Sequence, residues 1–254
     1  MATPSIHSID FGSPGRAFFG GAREGLGVPA FVLFISYIGF GALVRQMELP
    51  IWFGLTSTIS AWALPGQIAL VELSSVGASA LIIFLAVFLT NTRLLPMVTV
   101  FIPYVRNEGT ASWKYYGAAL WVAVTAWMLC MKRCPEIPQN QRLSFFVGFS
   151  SLVWSGSIIG TAIGYMVPDL VPKPITLGLV FINPIYFLIL FAGNLANRSW
   201  VYALGIGAVM GPSLHLVTPE LGLLITGIVA GTAGHFIDQW VRARNASSDG
   251  ARHG

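Results

Sequence analysis

Residues Ser60–Glu72 read SAWALPGQIALVE. Apolar sequence flanks the stretch on both sides, as in one long helix, yet Pro65, Gly66 and Gln67 stand at its centre. Proline has no backbone N–H and clashes with the carbonyl one turn back. In hydrocarbon, each backbone group so freed needs a partner within the protein. The stretch therefore reads in one of two ways. It is a kink held by packing, with Gln67 bonding a neighbouring helix, or it is a broken helix opening onto a buried polar site.

The surrounding composition sets that choice in a bilayer. Of 254 residues, 55% are hydrophobic and 9% charged, against roughly 25% charged in a soluble domain. Mean hydropathy is +0.72. Apolar blocks fall at roughly 28–46, 52–73, 78–102, 114–131, 145–166, 175–195, 199–215 and 219–240, each near the length that crosses ~30 Å of hydrocarbon. The fold class is an all-α polytopic membrane protein with about eight transmembrane helices, or seven if one block is re-entrant.

Three regions follow. Residues 1–27 form a cytoplasmic segment with a short interfacial helix over Pro14–Leu26 and without the pattern of a secretory signal. Residues 28–240 form the transmembrane domain, and 241–254 a flexible cytoplasmic tail. With the N-terminus inside and eight crossings, Arg45, Arg93, Arg106, Lys114 and Lys173 fall on the outer side. The more numerous remaining basic residues fall inside, as expected of cytoplasmic loops. The net charge of +4 therefore belongs to loops, and no basic run suggests nucleic acid.

A sparse internal repeat relates halves at about 28–131 and 145–240. Ile38-Gly39 and Glu48-Leu49 recur as Ile159-Gly160 and Asp169-Leu170, and Pro65 is matched by Pro184 in LVFINPIYF. Four crossings per half would make the repeats parallel, and an odd number would make them inverted. Interrupted helices at matching places in two repeats point to a transporter's binding site. The candidate site is thus Pro65, Gly66, Gln67, Asn183 and Pro184. Glu72 and Arg93 lie inside blocks, where ionisable groups face a cavity or a partner. They suit a proton or a charge pair, or else snorkel to the interface. Cys130 and Cys134 form neither a disulfide framework nor a metal pattern. No metal, cofactor or catalytic cluster is expected, and no mid-membrane lysine is placed for a retinal. Gly156-x3-Gly160-x3-Gly164, Gly207-x3-Gly211 and Gly227-x3-Gly231 suit close helix packing.

Taken in order, PGRAFFGGAREGLGVPAF, IGFGALVRQMELP, ALPGQIA, LTNTRLLPM, WSGSIIGTAIGYMVP and FINPIYFLIL resemble the AzlC family, the large subunit of bacterial branched-chain amino-acid exporters. The likeness covers about residues 14–240. It implies export of small apolar amino acids across the bacterial inner membrane, with a small AzlD-type membrane partner, and no enzymatic activity. The chain departs from the family at Thr125-Ala126-Trp127, where relatives often carry an acidic Thr-Asp-Glu-type stretch. It also has LPGQ at the break instead of a Gly-Ala-type run. A transporter of another small solute, a non-transporting scaffold or receptor subunit, and a membrane enzyme are the competing readings.

Overall fold

A computed structural model describes residues 9–107, 109–167, 172–192, 198–217 and 222–250. The described residues are helical, without strands. Two units separate at Asn183/Pro184.

In the first unit the helices are α1 (Pro14–Gly25), α2 (Val28–Gln46), α3 (Ile51–Ala61), α4 (Leu64–Ser75), α5 (Ala80–Asn91), α6 (Leu94–Val105), α7 (Ser112–Leu120), α8 (Val124–Arg133) and α9 (Gln139–Met166). The next helix, α10, spans Lys173–Ala192. The expected helix over Pro14–Leu26 is α1, started by Ser13 accepting from the Arg16 N–H and by a proline in its first turn.

Helices α2 and α9 are each long and apolar enough to cross a membrane, as are α5 and α6 taken together as one bent span. Helix α5 has no buried residue, and Leu81, Ile82, Phe84, Leu85 and Phe88 are exposed along it. So continuous an apolar face suits lipid rather than water.

Glycine brings α2 and α9 into backbone contact. A Cβ on Gly164 would strike the Ile38 carbonyl, one on Gly41 the Thr161 carbonyl, and one on Gly160 would lie 2.7 Å from the Phe34 carbonyl. Contacts at residues 34, 38 and 41 thus advance with 160, 164 and 165, so the two helices run parallel. Gly21 and Gly148 join α1 to α9 in the same way. Gly156, first of its ladder, meets nothing within 4 Å.

Between α2 and α9, three of the expected apolar blocks are interrupted rather than single straight helices. Block two divides into α3 and α4 at Trp62–Ala63, block three bends by 48° at Thr92–Arg93, and block four divides at Trp121–Ala123. The ends of these pieces show where the chain travels. The Arg106 carbonyl accepts from Gln139 Nε2 (2.7 Å), and the Tyr104 carbonyl from the Arg142 guanidinium (3.2 Å). Helix α6 therefore ends beside the start of α9. Helix α7 begins there too, with the Tyr115 hydroxyl on the Asn107 N–H (2.8 Å). Helix α8 returns to the same end, where Arg133 pairs with Glu24 (3.0 Å) and Glu136 (3.3 Å).

Helices α7 and α8 thus form a hairpin that enters and leaves at one end. At 9 and 10 residues, about 14 and 15 Å each, neither is long enough to cross alone. Arg106 and Lys114 move to the end that holds Lys132, Arg133 and Arg142.

Helices α3 and α4 form a second hairpin, from the other end. Helix α3 starts beside the end of α2, where Gly54 faces Val44. The Gln67 amide then reaches back to Ser57 and Thr58, closer than a straight helix at 1.5 Å per residue would allow. Gly66, in the first turn of α4, lies against Asn91 at the end of α5, so α4 and α5 run antiparallel. Since α6 ends by the start of α9, α5 comes from the opposite end and α4 returns towards it.

The turns close by the same device. After α4, the Gly77 N–H bonds Ser74 and the Ala78 N–H bonds Leu73, with Gly77 at φ 71°. After α2, the Glu48 N–H bonds Arg45 and the Leu49 N–H bonds Val44, with Glu48 at φ 58°. That left-handed position favours glycine. Glu48→Gly is expected to raise stability by about 1 kcal/mol, read as a higher thermal midpoint in detergent.

The break expected at Asn183–Pro184 is absent, because α10 continues through Pro184. A membrane helix tolerates an internal proline when neighbours satisfy the freed carbonyl. The two prolines matched by the repeat therefore sit in unlike helices, one broken and one continuous. Asp169 and Leu170 lie outside the described residues.

The second unit contains α11 (Arg198–Val217) and α12 (Gly222–Gly250) packed together, with Gly207 near Ala230 and Thr226, and Gly211 near Thr226. Helix α12 runs past residue 240, so the expected tail is helical as far as Gly250. His235 contacts Gln239 (3.1 Å).

Candidate functional site

The two hairpins meet the middle of α9 within one turn of each other. At the α3–α4 break, Trp62 Nε1 donates to Ser157 Oγ (3.0 Å). At the α7–α8 break, the Trp121 ring packs on Trp154, 5.7 Å between centroids. Trp154 and Ser157 are i, i+3 neighbours on one face of α9.

Both breaks leave a helix beginning deep in the unit. Helix α4 starts after Ala63 and α8 after Ala123, and neither has a side-chain cap or an acidic residue in its first turn. The first N–H groups of a helix have no partner within it and mark the positive end of its dipole. Two such ends suit a small anion.

Gln67 is fully buried and holds the first break together. Its Oε1 accepts from the Tyr37 hydroxyl (2.8 Å), and its Nε2 donates to Ser57 Oγ (3.1 Å) and Thr58 Oγ1 (3.0 Å). Thr58 is in turn 3.2 Å from Thr161 Oγ1. One amide thus ties α2, α3 and α4 to each other and, through Thr58, to α9. Both Nε2 hydrogens are used, while Oε1 keeps one lone pair.

The other expected residues lie as follows. Pro65 is in the first turn of α4, where its missing N–H costs no helical bond. Gly66 lets the Asn91 carboxamide approach, since a Cβ there would lie 2.6 Å from Asn91 Oδ1. Asn183 is buried on the α10 face that carries Thr176 and Val180. Thr176 accepts from Gln46 (2.9 Å) and Val180 abuts Gly39, so this face packs on α2. Pro184 is exposed. Glu72 on α4 and Arg93 at the α5–α6 bend are both exposed, and no ion pair joins them among the described residues.

Several residues were not foreseen. Tyr37, Ser57, Thr58, Trp62, Ser157 and Thr161 form the hydrogen-bonded frame. Asn91 was likewise not foreseen, and its Oδ1, like that of the expected Asn183, is a buried acceptor without a partner. The signal available in the sequence was hydroxyl spacing: Ser150, Ser157 and Thr161 recur at seven and four residues within an apolar block.

A separate polar layer closes the end where α9 starts. Gln141 donates to Asp10 (2.6 Å) and accepts from the Phe11 N–H (3.0 Å). The Gln141 bond, with one from the Gly12 N–H, holds the Asp10 carboxyl below the usual range. Glu24 beside Arg133 makes that guanidinium still harder to deprotonate. No group of three metal-binding side chains occurs among the described residues.

A family model described as AzlC protein matches residues 29–171. No curated protein and no solved structure matches the chain.

Proposed function

The chain belongs to the AzlC family, and on that premise we propose that it exports branched-chain or other small apolar amino acids. It would act as the large subunit beside a small AzlD-type partner in a bacterial inner membrane. The family is one of membrane transporters rather than enzymes.

The observation that carries this reading is the pair of uncapped helix starts, α4 and α8, whose breaks meet α9 at Ser157 and Trp154. Broken helices at the midplane, with N-termini facing an anionic group, are a recurrent device of secondary transporters. In this proposal Pro65 and Gly66 open the α4 end and Gln67 fixes it, its remaining lone pair directed at the substrate. Asn183 supplies a second buried amide and Pro184 loosens α10 beside it. The unpartnered oxygen of Asn91 suits the ammonium group. Glu72 and Arg93, both exposed, are assigned to coupling or to the interface rather than to the substrate.

Orientation follows from charge. Arg16, Arg23, Arg106, Lys114, Lys132, Arg133 and Arg142 belong to the α9-start end, and Arg45 and Lys173 to the other. Placing the first end in the cytoplasm makes the two hairpins re-entrant from opposite faces, with the N-terminus inside; the C-terminus is proposed to lie inside as well.

The test is flux of labelled leucine or valine in liposomes, with and without the small partner. Movement above empty vesicles in at least one state is expected. Its absence from both, with protein that remains folded, rejects the reading.

A further inference from the structure

One stripe of α9 carries Phe146, Ser150, Trp154, Ser157 and Thr161, spaced by three or four residues and so on one face. Four of the five have contacts that account for them. Phe146 packs on Phe101 of α6 (4.6 Å between centroids) and Trp154 on Trp121. Ser157 accepts from Trp62 and donates to the Val153 carbonyl (3.0 Å), and Thr161 donates to the Ser157 carbonyl (2.9 Å).

Ser150 is different. It has 0% exposure, and its hydroxyl bonds nothing, not even the carbonyl one turn back that serine ordinarily uses in a helix. One turn on, Trp154 Nε1 is also buried without a partner, as is Trp127 Nε1 in the first turns of α8. A buried polar atom left unpaired is costly, and such atoms are few in folded proteins.

These three atoms share one chemistry, since each can donate and an indole N–H can only donate. Trp127 lies in the first turn of α8, which is uncapped and holds no carboxylate; Trp154 packs on Trp121, three residues before that helix; and Ser150 is one turn from Trp154 on the same face of α9. We propose that Ser150, Trp154 and Trp127, with the first N–H groups of α8, form the subsite that binds the carboxylate of the transported molecule. This rests on the exporter reading and deepens it. No lysine or arginine belongs to the set, so its neutral donors suit a single negative charge rather than a phosphate dianion.

The test uses full-length protein in nanodiscs and measures binding of leucine, isovalerate, leucinamide and chloride. Leucinamide keeps the ammonium and the side chain but lacks the carboxylate. Losing one hydrogen bond to a charged group weakens binding by about ten- to a hundredfold. Ser150→Ala is expected to weaken leucine and isovalerate by that factor and leave leucinamide unchanged. Trp154→Phe, which keeps a ring against Trp121, should do the same. Neither variant should lower the thermal midpoint without ligand, because each removes an atom that bonds nothing.

Equal loss for leucine and leucinamide, no loss for either, or chloride binding as well as isovalerate would overturn the assignment. The two readings fail separately. Leucine flux intact in Ser150→Ala removes the subsite and leaves the exporter. Isovalerate binding lost in the variant, with no amino-acid flux in the unaltered protein, leaves the subsite and removes the exporter.

Discussion

Gln67→Leu is expected to abolish transport and to destabilise the first unit by about 1–3 kcal/mol, the cost of leaving a buried polar group unpaired. Leucine nearly matches glutamine in volume, so the loss is one of bonding. The effect falls on Tyr37, whose hydroxyl has Gln67 as its only partner among the described residues. Ser57 and Thr58 remain satisfied, because both also donate to the Gly54 carbonyl (2.8 and 3.0 Å). That asymmetry gives a further check. Adding Tyr37→Phe to Gln67→Leu removes the orphaned hydroxyl and should recover part of the stability, read by thermal unfolding in detergent, while flux stays lost. A double variant as unstable as the sum of the singles would show that the bond between Tyr37 and Gln67 contributes little. Membrane hydrogen bonds average about 0.6 kcal/mol in such cycles, so the recovery sought exceeds that.

Gly66→Ala is expected to separate function from folding. The added Cβ would lie 2.6 Å from Asn91 Oδ1 and 2.8 Å from its Nδ2. What must move is the far end of a side chain, so the fold should survive with a midpoint within a few degrees. Flux should nevertheless fall at least about tenfold, because the methyl displaces Asn91 and crowds the open start of α4, where small misplacements are expensive. Gly117→Ala, which meets nothing within 4 Å, is the control and should leave both properties intact. A folded Gly66→Ala protein with full flux would place the substrate elsewhere.

Much of this architecture was legible in the sequence. The blocks at 28–46 and 145–166 became single helices, because an apolar run of that length without an internal proline favours one, and the block at 199–215 did so in spite of Pro212. The break near Pro65 was legible because proline, glycine and an amide interrupt such a run. Blocks three and four misled for the converse reason: an apolar run reports that a segment is long enough to cross, not whether it turns. The bend at Thr92–Arg93 lies one turn before Pro96, which has no N–H for the Thr92 carbonyl, so that carbonyl accepts from the Leu95 N–H instead; the break at Trp121–Ala123 contains neither proline nor glycine. At that break the contact is far along the chain, Trp121 on Trp154.

A signal for the α7–α8 hairpin was nonetheless present. Block four has Lys114 at one end and Lys132 and Arg133 at the other. Basic residues gather on one side of a membrane, so two basic ends favour a return over a crossing. At Pro184 the error ran the other way. Proline alone does not break a membrane helix, and Asn183–Pro184 lacks the glycine that follows Pro65.

The central claim is that two helical hairpins enter from opposite faces and meet at the middle of α9. Side-specific thiol labelling in oriented vesicles tests it most directly, since the native Cys130 and Cys134 are buried. Single cysteines are introduced at the exposed positions Val76, Ala111 and Asn140. Ala111→Cys and Asn140→Cys are expected to react from one face and Val76→Cys from the other. Reaction of Val76→Cys from the same face as Asn140→Cys, with Ala111→Cys on the opposite face, would contradict the account and restore three full crossings between α2 and α9.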